Sequence, residues 1–209
     1  MGSKYFYFFI KRLFDIFVSL VGIILLIPVI IIVKILNIIN NDSGRIFYTH
    51  ERIGKNGKSF KLYKFRTMVI DADKKLEELL KSNEELNKEY KINKKLSNDP
   101  RLTKTGKLLR KISIDEMPQF INILKGDMSF IGNRPYLVRE KEDMGYYYDD
   151  IVKVKPGLTG YWQVNGRSNV DFNKRLELEQ FYSNNYNIKL DIKIILQTIK
   201  VVLQRNGAV

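Results

Sequence analysis

The chain has no cysteine, and its 209 residues include one histidine and one tryptophan. Without cysteine there is no disulfide framework, no thiolate metal site and no thiol nucleophile. With His50 alone, neither a histidine-based triad nor a zinc site has the side chains it needs, so His50 is expected on a surface. Acidic residues are outnumbered, 23 Asp and Glu against 36 Lys and Arg, for a formal charge of +13. That excess implies an anionic partner: nucleic acid, anionic lipid head groups or a phosphorylated substrate. No internal repeat or low-complexity linker divides the chain, whose length suits one modest domain plus an added element.

What is present is concentrated at the N-terminus. Ile16–Val33 is uncharged and almost wholly apolar, interrupted by Pro28. A run of about eighteen apolar residues is long enough to be a membrane helix. Proline lacks an N–H and clashes with the preceding turn, so a break is expected at Pro28. That leaves Ile16–Ile27, about 18 Å long, and the shorter arm Val29–Leu36, neither of which covers a hydrocarbon core of about 30 Å. Lys4, Lys11 and Arg12 precede the run, and Lys34, Arg45, Arg52, Lys55 and Lys58 follow it. Both flanks therefore carry the charge of a cytoplasmic side, which a helix that enters and returns satisfies and a straight span does not. Proline is also tolerated in spanning helices, so the residues alone leave both topologies open. Lys34–Asn41 is basic and bulky, which argues against a removable signal peptide, and Phe6 stands where a myristoylation motif needs Ser or Thr.

Beyond residue 40 the pattern is that of a basic domain. Ile46–Thr49 and Phe60–Phe65 alternate around Gly54-Lys55-Asn56-Gly57, a β-hairpin signature with cations pointing outward. Gly57-Lys58-Ser59 imitates the end of a P-loop, but Arg52 occupies the first glycine position and no helix pattern follows. Asp71–Leu96, with Leu76, Leu79, Leu80 and Leu86 at helical spacing, reads as a solvated amphipathic helical insertion reaching residue 98. Thr103–Lys111 reads as a short basic helix. Ser113 and Glu116 have the spacing of a capping box, Pro118 sits in the first turn, and Gly126 marks the helix end. Gly132–Pro135 is a turn, and Lys155–Arg167 is irregular and carries Tyr161, Trp162 and Gln163. Asn187–Arg205 is a basic amphipathic helix that can lie in a membrane interface or pack on the core. The fold class expected is α+β and mostly helical: an N-terminal membrane element over 1–40 and a catalytic domain over 41–209.

Chemistry is left to carboxylates among cations. Asp115 and Glu116 form an acid pair at a helix start, where peptide dipoles keep acids ionised and N–H groups can hold phosphate. Arg110 and Lys111 lie just upstream and Arg134 beyond the helix. An anionic nucleophile needs such surroundings to approach an anionic phosphate, and a divalent cation would reduce the repulsion further. Taken alone, an Asp-Glu at a helix start is commonly no more than a cap.

The wider pattern is more specific. Lys11-Arg12-x-x-Asp15, Lys64-Phe65-Arg66-Thr67-Met68, Asp99-Pro100-Arg101, Leu109-Arg110-x-x-Ser113-Ile114-Asp115-Glu116-Met117-Pro118-Gln119, Asn122-x-Leu124-x-Gly126-Asp127-Met128-Ser129, Lys155–Gly160 and Gln163–Arg167 occur in order. Together they resemble the bacterial sugar transferase family, the monotopic phosphoglycosyl transferases, over nearly the whole chain. That resemblance implies transfer of a sugar 1-phosphate from a UDP-sugar to undecaprenyl phosphate, releasing UMP, as a first membrane step of capsule, exopolysaccharide, O-antigen or glycoprotein glycan synthesis. It implies a re-entrant helix broken at Pro28, at the cytoplasmic face of the bacterial inner membrane, in contact with phospholipid. It casts Asp115 as the nucleophile in a ping-pong scheme and Glu116 as the residue associated with Mg²⁺.

By the same mapping Lys64, Arg66, Arg110, Arg134 and, more weakly, Arg167 are phosphate contacts. Asp127 is a metal-site acid or the cap of the turn after Gly126, and Arg12 and Asp15 belong to the anchor of the membrane hairpin. No nucleic acid is implied, and a homodimer is compatible. Two departures stand out: Asn133 replaces a proline common in the loop before Arg134, and Ile27 replaces a serine common before the breaking proline. The rival classes are a membrane-tethered basic protein binding nucleic acid or anionic lipid, and a direct glycosyltransferase releasing UDP.

Overall fold

The computed structural model describes residues 2–93, 96–166 and 170–204. Its first element, α1 (Gly2–Ile39), is one continuous helix with Pro28 inside it, so the two separate arms expected on either side of Pro28 are not present. At 1.5 Å per residue it is about 57 Å long, and it is long and apolar enough to cross a membrane. Pro28 falls on an exposed face, where its ring disturbs no packing.

A single stripe of α1 is buried. Tyr7, Asp15, Ser19, Gly22, Leu26, Val33 and Asn37 follow at steps of three, four, seven or eight residues, the spacing that lines up one helical face. That stripe rests on the rest of the chain along its whole length. Near its start the Tyr7 hydroxyl donates to Asp191 (2.8 Å) and Asp15 accepts from Ser129 Oγ (3.0 Å) and Phe130 N–H (2.8 Å). In its second half Leu26 and Val33 pack with Phe65 and Leu109, and Asn40, just past its end, donates to Thr105 at 3.3 Å. Both ends of α1 thus dock on the same domain.

The expected hairpin is present and longer than its alternation suggests: β1 (Phe47–Ile53) pairs antiparallel with β2 (Ser59–Phe65), Arg52 opposite Phe60 and Tyr48 opposite Lys64. Asn56 and Gly57 take the positive φ values that the Asn-Gly turn requires. The segment after it forms two helices, not one: α2 (Ala72–Ser82) and α3 (Glu84–Asn93). Asn83 separates them because its side chain accepts from the Glu85 and Leu86 amides, 3.0 and 3.1 Å, offering the backbone a new start. Then α4 (Lys104–Lys111) begins on Thr103, whose hydroxyl accepts from Gly106 N–H at 2.9 Å.

The capping box expected at Ser113 does not form. Ser113 is left-handed (φ 56°), and no hydrogen bond caps the turn through its side chain. Ile114–Glu116 is a tight 3₁₀ turn instead, and α5 (Gln119–Lys125) starts after Pro118 and ends at left-handed Gly126. The positive φ at Ser113 turns the chain too sharply for the α-helix to begin there.

A second sheet follows. β3 (Ser129–Ile131) runs parallel to β4 (Gly157–Thr159), with the short helices α6 (Lys141–Met144) and α7 (Tyr148–Ile151) between them. The two strands approach closely at glycines: a Cβ on Gly132 would stand 2.2 Å from the Lys155 carbonyl oxygen. The chain closes with α8 (Tyr161–Asn165), α9 (Phe172–Asn185) and α10 (Ile188–Gln204). The architecture is mostly helical with two small sheets.

Candidate active site

Asp115 and Glu116 sit in the tight turn between α4 and α5, facing the hairpin. Lys64 on β2 reaches both, with Nζ 2.7 Å from Glu116 Oε1 and 4.0 Å from Asp115 Oδ2. The register that brings Lys64 there is set by Asn122 of α5, which is fully buried. Its side chain accepts from Tyr63 N–H at 3.0 Å and donates to the Lys61 carbonyl at 2.8 Å, satisfying the free edge of β2. One asparagine therefore fixes how the lysine meets the acid pair.

The two carboxyls are driven apart electrostatically. Burial pushes Asp115 above the ordinary carboxylate range, with Lys64 opposing and Glu116 reinforcing the rise. Burial acts on Glu116 in the same sense, but Lys64, by charge and hydrogen bond, and then Arg134 and Arg52 outweigh it and hold Glu116 below its usual range. Such a split between neighbouring acids marks sites where the two take different roles.

A basic wall completes the site. Arg110, in the last turn of α4, lowers Asp115 electrostatically, and its Nε donates to Thr67 Oγ1 at 3.2 Å. Arg134 follows β3; its amide donates to both oxygens of Glu179 (2.9 and 3.1 Å), and its guanidinium stacks 5.6 Å over the Trp162 ring. Arg175 covers the same ring at 4.4 Å, so Trp162 touches two guanidinium groups. Nε of Arg134, Nε of Arg175 and Nε1 of Trp162 are buried without hydrogen-bond partners. Arg52, on β1, donates to the Pro135 carbonyl at 3.1 Å, and burial followed by the Arg134 charge pushes its pKa down to about 10. Glu179 is buried and pushed up to about 8 by desolvation, against the Arg134 amide and the charges of Arg134 and Arg175.

The residues expected at the site separate into three groups. Asp115, Glu116, Lys64, Arg110 and Arg134 come together. Arg66 and Asp127 do not. Arg66 is held by Asp42 (2.6 Å) and the carbonyls of Arg45 and Met68 (2.7 and 2.8 Å), bracing the segment after α1. Asp127 lies at the opposite end of α5, 3.7 Å from Lys125. Arg12 and Asp15 are at that end too: the Arg12 guanidinium donates to the Ile123 and Leu124 carbonyls, both at 2.7 Å, closing the C-terminus of α5. Arg167 lies outside the described residues. Arg52, Arg175 and Glu179 are additions that the residue pattern did not single out, because each stands among other charged and polar residues and reads as surface.

Among the described residues no group of three or more His, Asp or Glu side chains gathers to cage a metal. A magnesium ion does not need one, since it binds through one or two carboxylates with waters and substrate phosphates. The donor set here fits that mode: Glu116 Oε1 is taken by Lys64, and Oε2 belongs to a carboxylate left about one-third exposed.

An acid pair of split acidity, a lysine bridging it and three arginines thus meet in one place. Residues 6–205 match the profile described as bacterial sugar transferase, and the chain belongs to that family. It is 42% identical over 203 residues to the undecaprenyl-phosphate galactose phosphotransferase of Salmonella typhimurium, covering 96% of this chain and 42% of that protein. It is 39% identical over 198 residues to the exopolysaccharide production protein ExoY of Sinorhizobium fredii, covering 95% and 87%. Against the UDP-glucose:undecaprenyl-phosphate glucose-1-phosphate transferase of Klebsiella pneumoniae it is 36% identical over 199 residues, covering 90% and 39%. The chain thus spans about two fifths of the length of several curated relatives it matches.

Proposed function

We propose that this protein is a phosphoglycosyl transferase that moves a hexose 1-phosphate from a UDP-sugar to undecaprenyl phosphate, releasing UMP. The observation that carries the reading is the buried Asp115 carboxylate with Lys64 Nζ at 4.0 Å and Arg110 in electrostatic reach, in a chain whose relatives are named for that reaction. An Asp115 oxygen attacks the sugar-bearing phosphorus, and the bond to the UMP oxygen breaks. The resulting acyl-phosphate carries the sugar until an oxygen of the lipid phosphate attacks the same phosphorus, returns the electron pair to Asp115 and forms undecaprenyl-diphospho-sugar.

Lys64, Arg110 and Arg134 neutralise the phosphate oxygens, since phosphoryl transfer asks mainly for positioning and charge compensation. Arg52 adds its charge to the same wall. Mg²⁺ held at Glu116 would supply further charge neutralisation on the diphosphate. Trp162 is buried against Arg134 and Arg175, and its ring supports both guanidinium groups beside that wall.

The same reading places the enzyme on one leaflet, at the cytoplasmic face of the bacterial inner membrane. Both ends of α1 docking on one domain support entry without crossing, because a span would put that domain on two sides at once. The exposed apolar residues of α1, with Ile188, Ile192, Leu196 and Ile199 of α10, supply the surface that meets lipid.

The test is the Asp115→Asn variant incubated with radiolabelled UDP-sugar, in parallel with wild type. Wild type is expected to release UMP and carry a trapped phosphosugar on Asp115, and the variant to do neither. Wild-type turnover in the variant would remove Asp115 from the reaction. Salt-sensitive binding with no UMP release across a panel of UDP-sugars would favour a non-catalytic binding protein instead.

A further inference from the structure

We propose that a second phosphate site, for a lipid head group, lies at the opposite end of α5 from the carboxylate pair. A cavity of about 250 Å³ opens there between the start of α1, the β3–β4 sheet and the α9–α10 junction. Lys11, Arg12, Lys55 and Lys155 line it, with Asp15 as its one acidic lining residue.

The cations in this cavity outnumber the carboxylates that face them. Lys11 is neutralised by Asp191 at 2.6 Å. Asp15 is spent on Ser129 and the Phe130 amide, and the Arg12 guanidinium faces carbonyls rather than an acid. Among the described residues neither Lys55 nor Lys155 has a carboxylate partner; the Lys55 ammonium rests 5.3 Å over the Phe8 ring. A Cβ on Gly126 would stand 3.5 Å from Lys155 Nζ and 3.6 Å from Arg12 Nη2, so two cations converge on one point. Burial, then Arg12, depresses the Lys155 ammonium and Lys55 adds to the effect, outweighing Asp15 and Asp127, which act against it. Like charges gathered in a half-buried recess are costly unless an anion joins them. A phosphate, accepting several charge-assisted hydrogen bonds, answers that need.

The rim identifies the bearer of the phosphate. Tyr7, Phe8 and Tyr186 form a mutually packed ring cluster, with centroids 5.1 to 5.6 Å apart. Next to it Phe6, Phe9, Ile10 and Leu13 of α1 and Ile188 and Ile192 of α10 are exposed. Hydrocarbon chains leaving the cavity would lie on these side chains, aromatic rings at the level of the head groups. A phosphate-bearing lipid therefore fits where a free phosphate would leave the apolar rim bare. Two lipids carry that chemistry, an anionic phospholipid and a polyprenyl phosphate, and the Arg12 contact would tie either one mechanically to α5.

The test uses the full chain in detergent and needs no transfer activity, so its failure is separate from failure of the catalytic reading. Thermal unfolding and native mass spectrometry follow titration with phosphatidylglycerol, undecaprenyl phosphate, phosphatidylcholine and inorganic phosphate. We expect the two anionic lipids to raise the melting temperature and to be retained, the one saturating at lower concentration being the occupant. Phosphatidylcholine, whose ammonium would meet Arg12, Lys55 and Lys155, should bind more weakly. The Lys55→Gln/Lys155→Gln variant should lose roughly tenfold or more in affinity, with lipid-free melting checking its fold, while Lys155→Arg and the remote surface change Lys88→Gln bind as wild type. Equal binding of phosphatidylcholine, equal weakening by Lys88→Gln, unchanged affinity in the double variant or a response to inorganic phosphate alone would each overturn the proposal.

Discussion

Replacing Lys64 by methionine would move the acidic limb of the pH–rate profile upward. Lys64 Nζ lies 4.0 Å from Asp115 Oδ2, and two unit charges about 4 Å apart interact by about 4 kcal/mol at an effective dielectric of about 20. That is about three pH units at 1.36 kcal/mol each. The Asp115 side chain is 11% exposed and that of Lys64 26%, so solvent removes part of the effect, and a shift of about one to two units is expected. The sign follows from the cited directions. Burial already raises Asp115 and Lys64 is the strongest influence lowering it; without Lys64 the carboxyl holds its proton to higher pH. Because the ionised form attacks phosphorus, activity disappears as pH falls through that pKa, and the loss would begin sooner. UMP release measured from about pH 5 to 9 in defined nanodiscs gives the limb. Lys64→Arg should keep it in place, whatever its rate. A methionine variant with lowered turnover but an unmoved limb would refute the coupling.

Arg12→Ala removes the two 2.7 Å hydrogen bonds that close α5 and should cost about 1–3 kcal/mol, read as a lowered melting temperature; an unchanged value would show that water replaces the guanidinium without loss. Glu179, raised to about 8 by burial, contributes stability that is full below its unfolded pKa of about 4.3 and is lost as pH rises through about 8. Glu179→Gln keeps an acceptor for the Arg134 amide, so its melting temperature should gain on wild type between pH 5 and 8; a constant difference would rule out the buried acid. Cysteines placed near Gly2 and Ser43 should label from the same side of the membrane, and opposite-side labelling would mean that α1 crosses it.

What could be read in the sequence was governed by signal length. The hairpin was legible because Asn56-Gly57 requires left-handed backbone and its flanks alternate, and α4 because Thr103 is a good cap before a basic amphipathic turn. The acid pair was visible only through its ordered context, since Asp115-Glu116 alone is chemically ambiguous. β3 and β4 were not legible: each has three residues, twenty-five residues separate them, and Gly132, Gly157 and Gly160 read as turns although they permit strand contact. α9 escaped for another reason. Arg175 and Glu179 look like a solvated face, yet both are buried, one against Trp162 and the other under the Arg134 amide. Ser113 misled because its spacing from Glu116 is right for a cap while its left-handed backbone is not.

The docked stripe of α1 also constrains how its sequence can change. A helix that simply crosses a bilayer can gain or lose a residue by tilting or snorkelling. Here Asp15 and Asn37 must both meet the domain, and one inserted residue would rotate either half against the other by about 100°. Substitution among apolar residues on the free faces should be permissive, whereas insertions and deletions inside Ile16–Val33 should not. Random mutagenesis of this segment would return many point variants and almost no change in length.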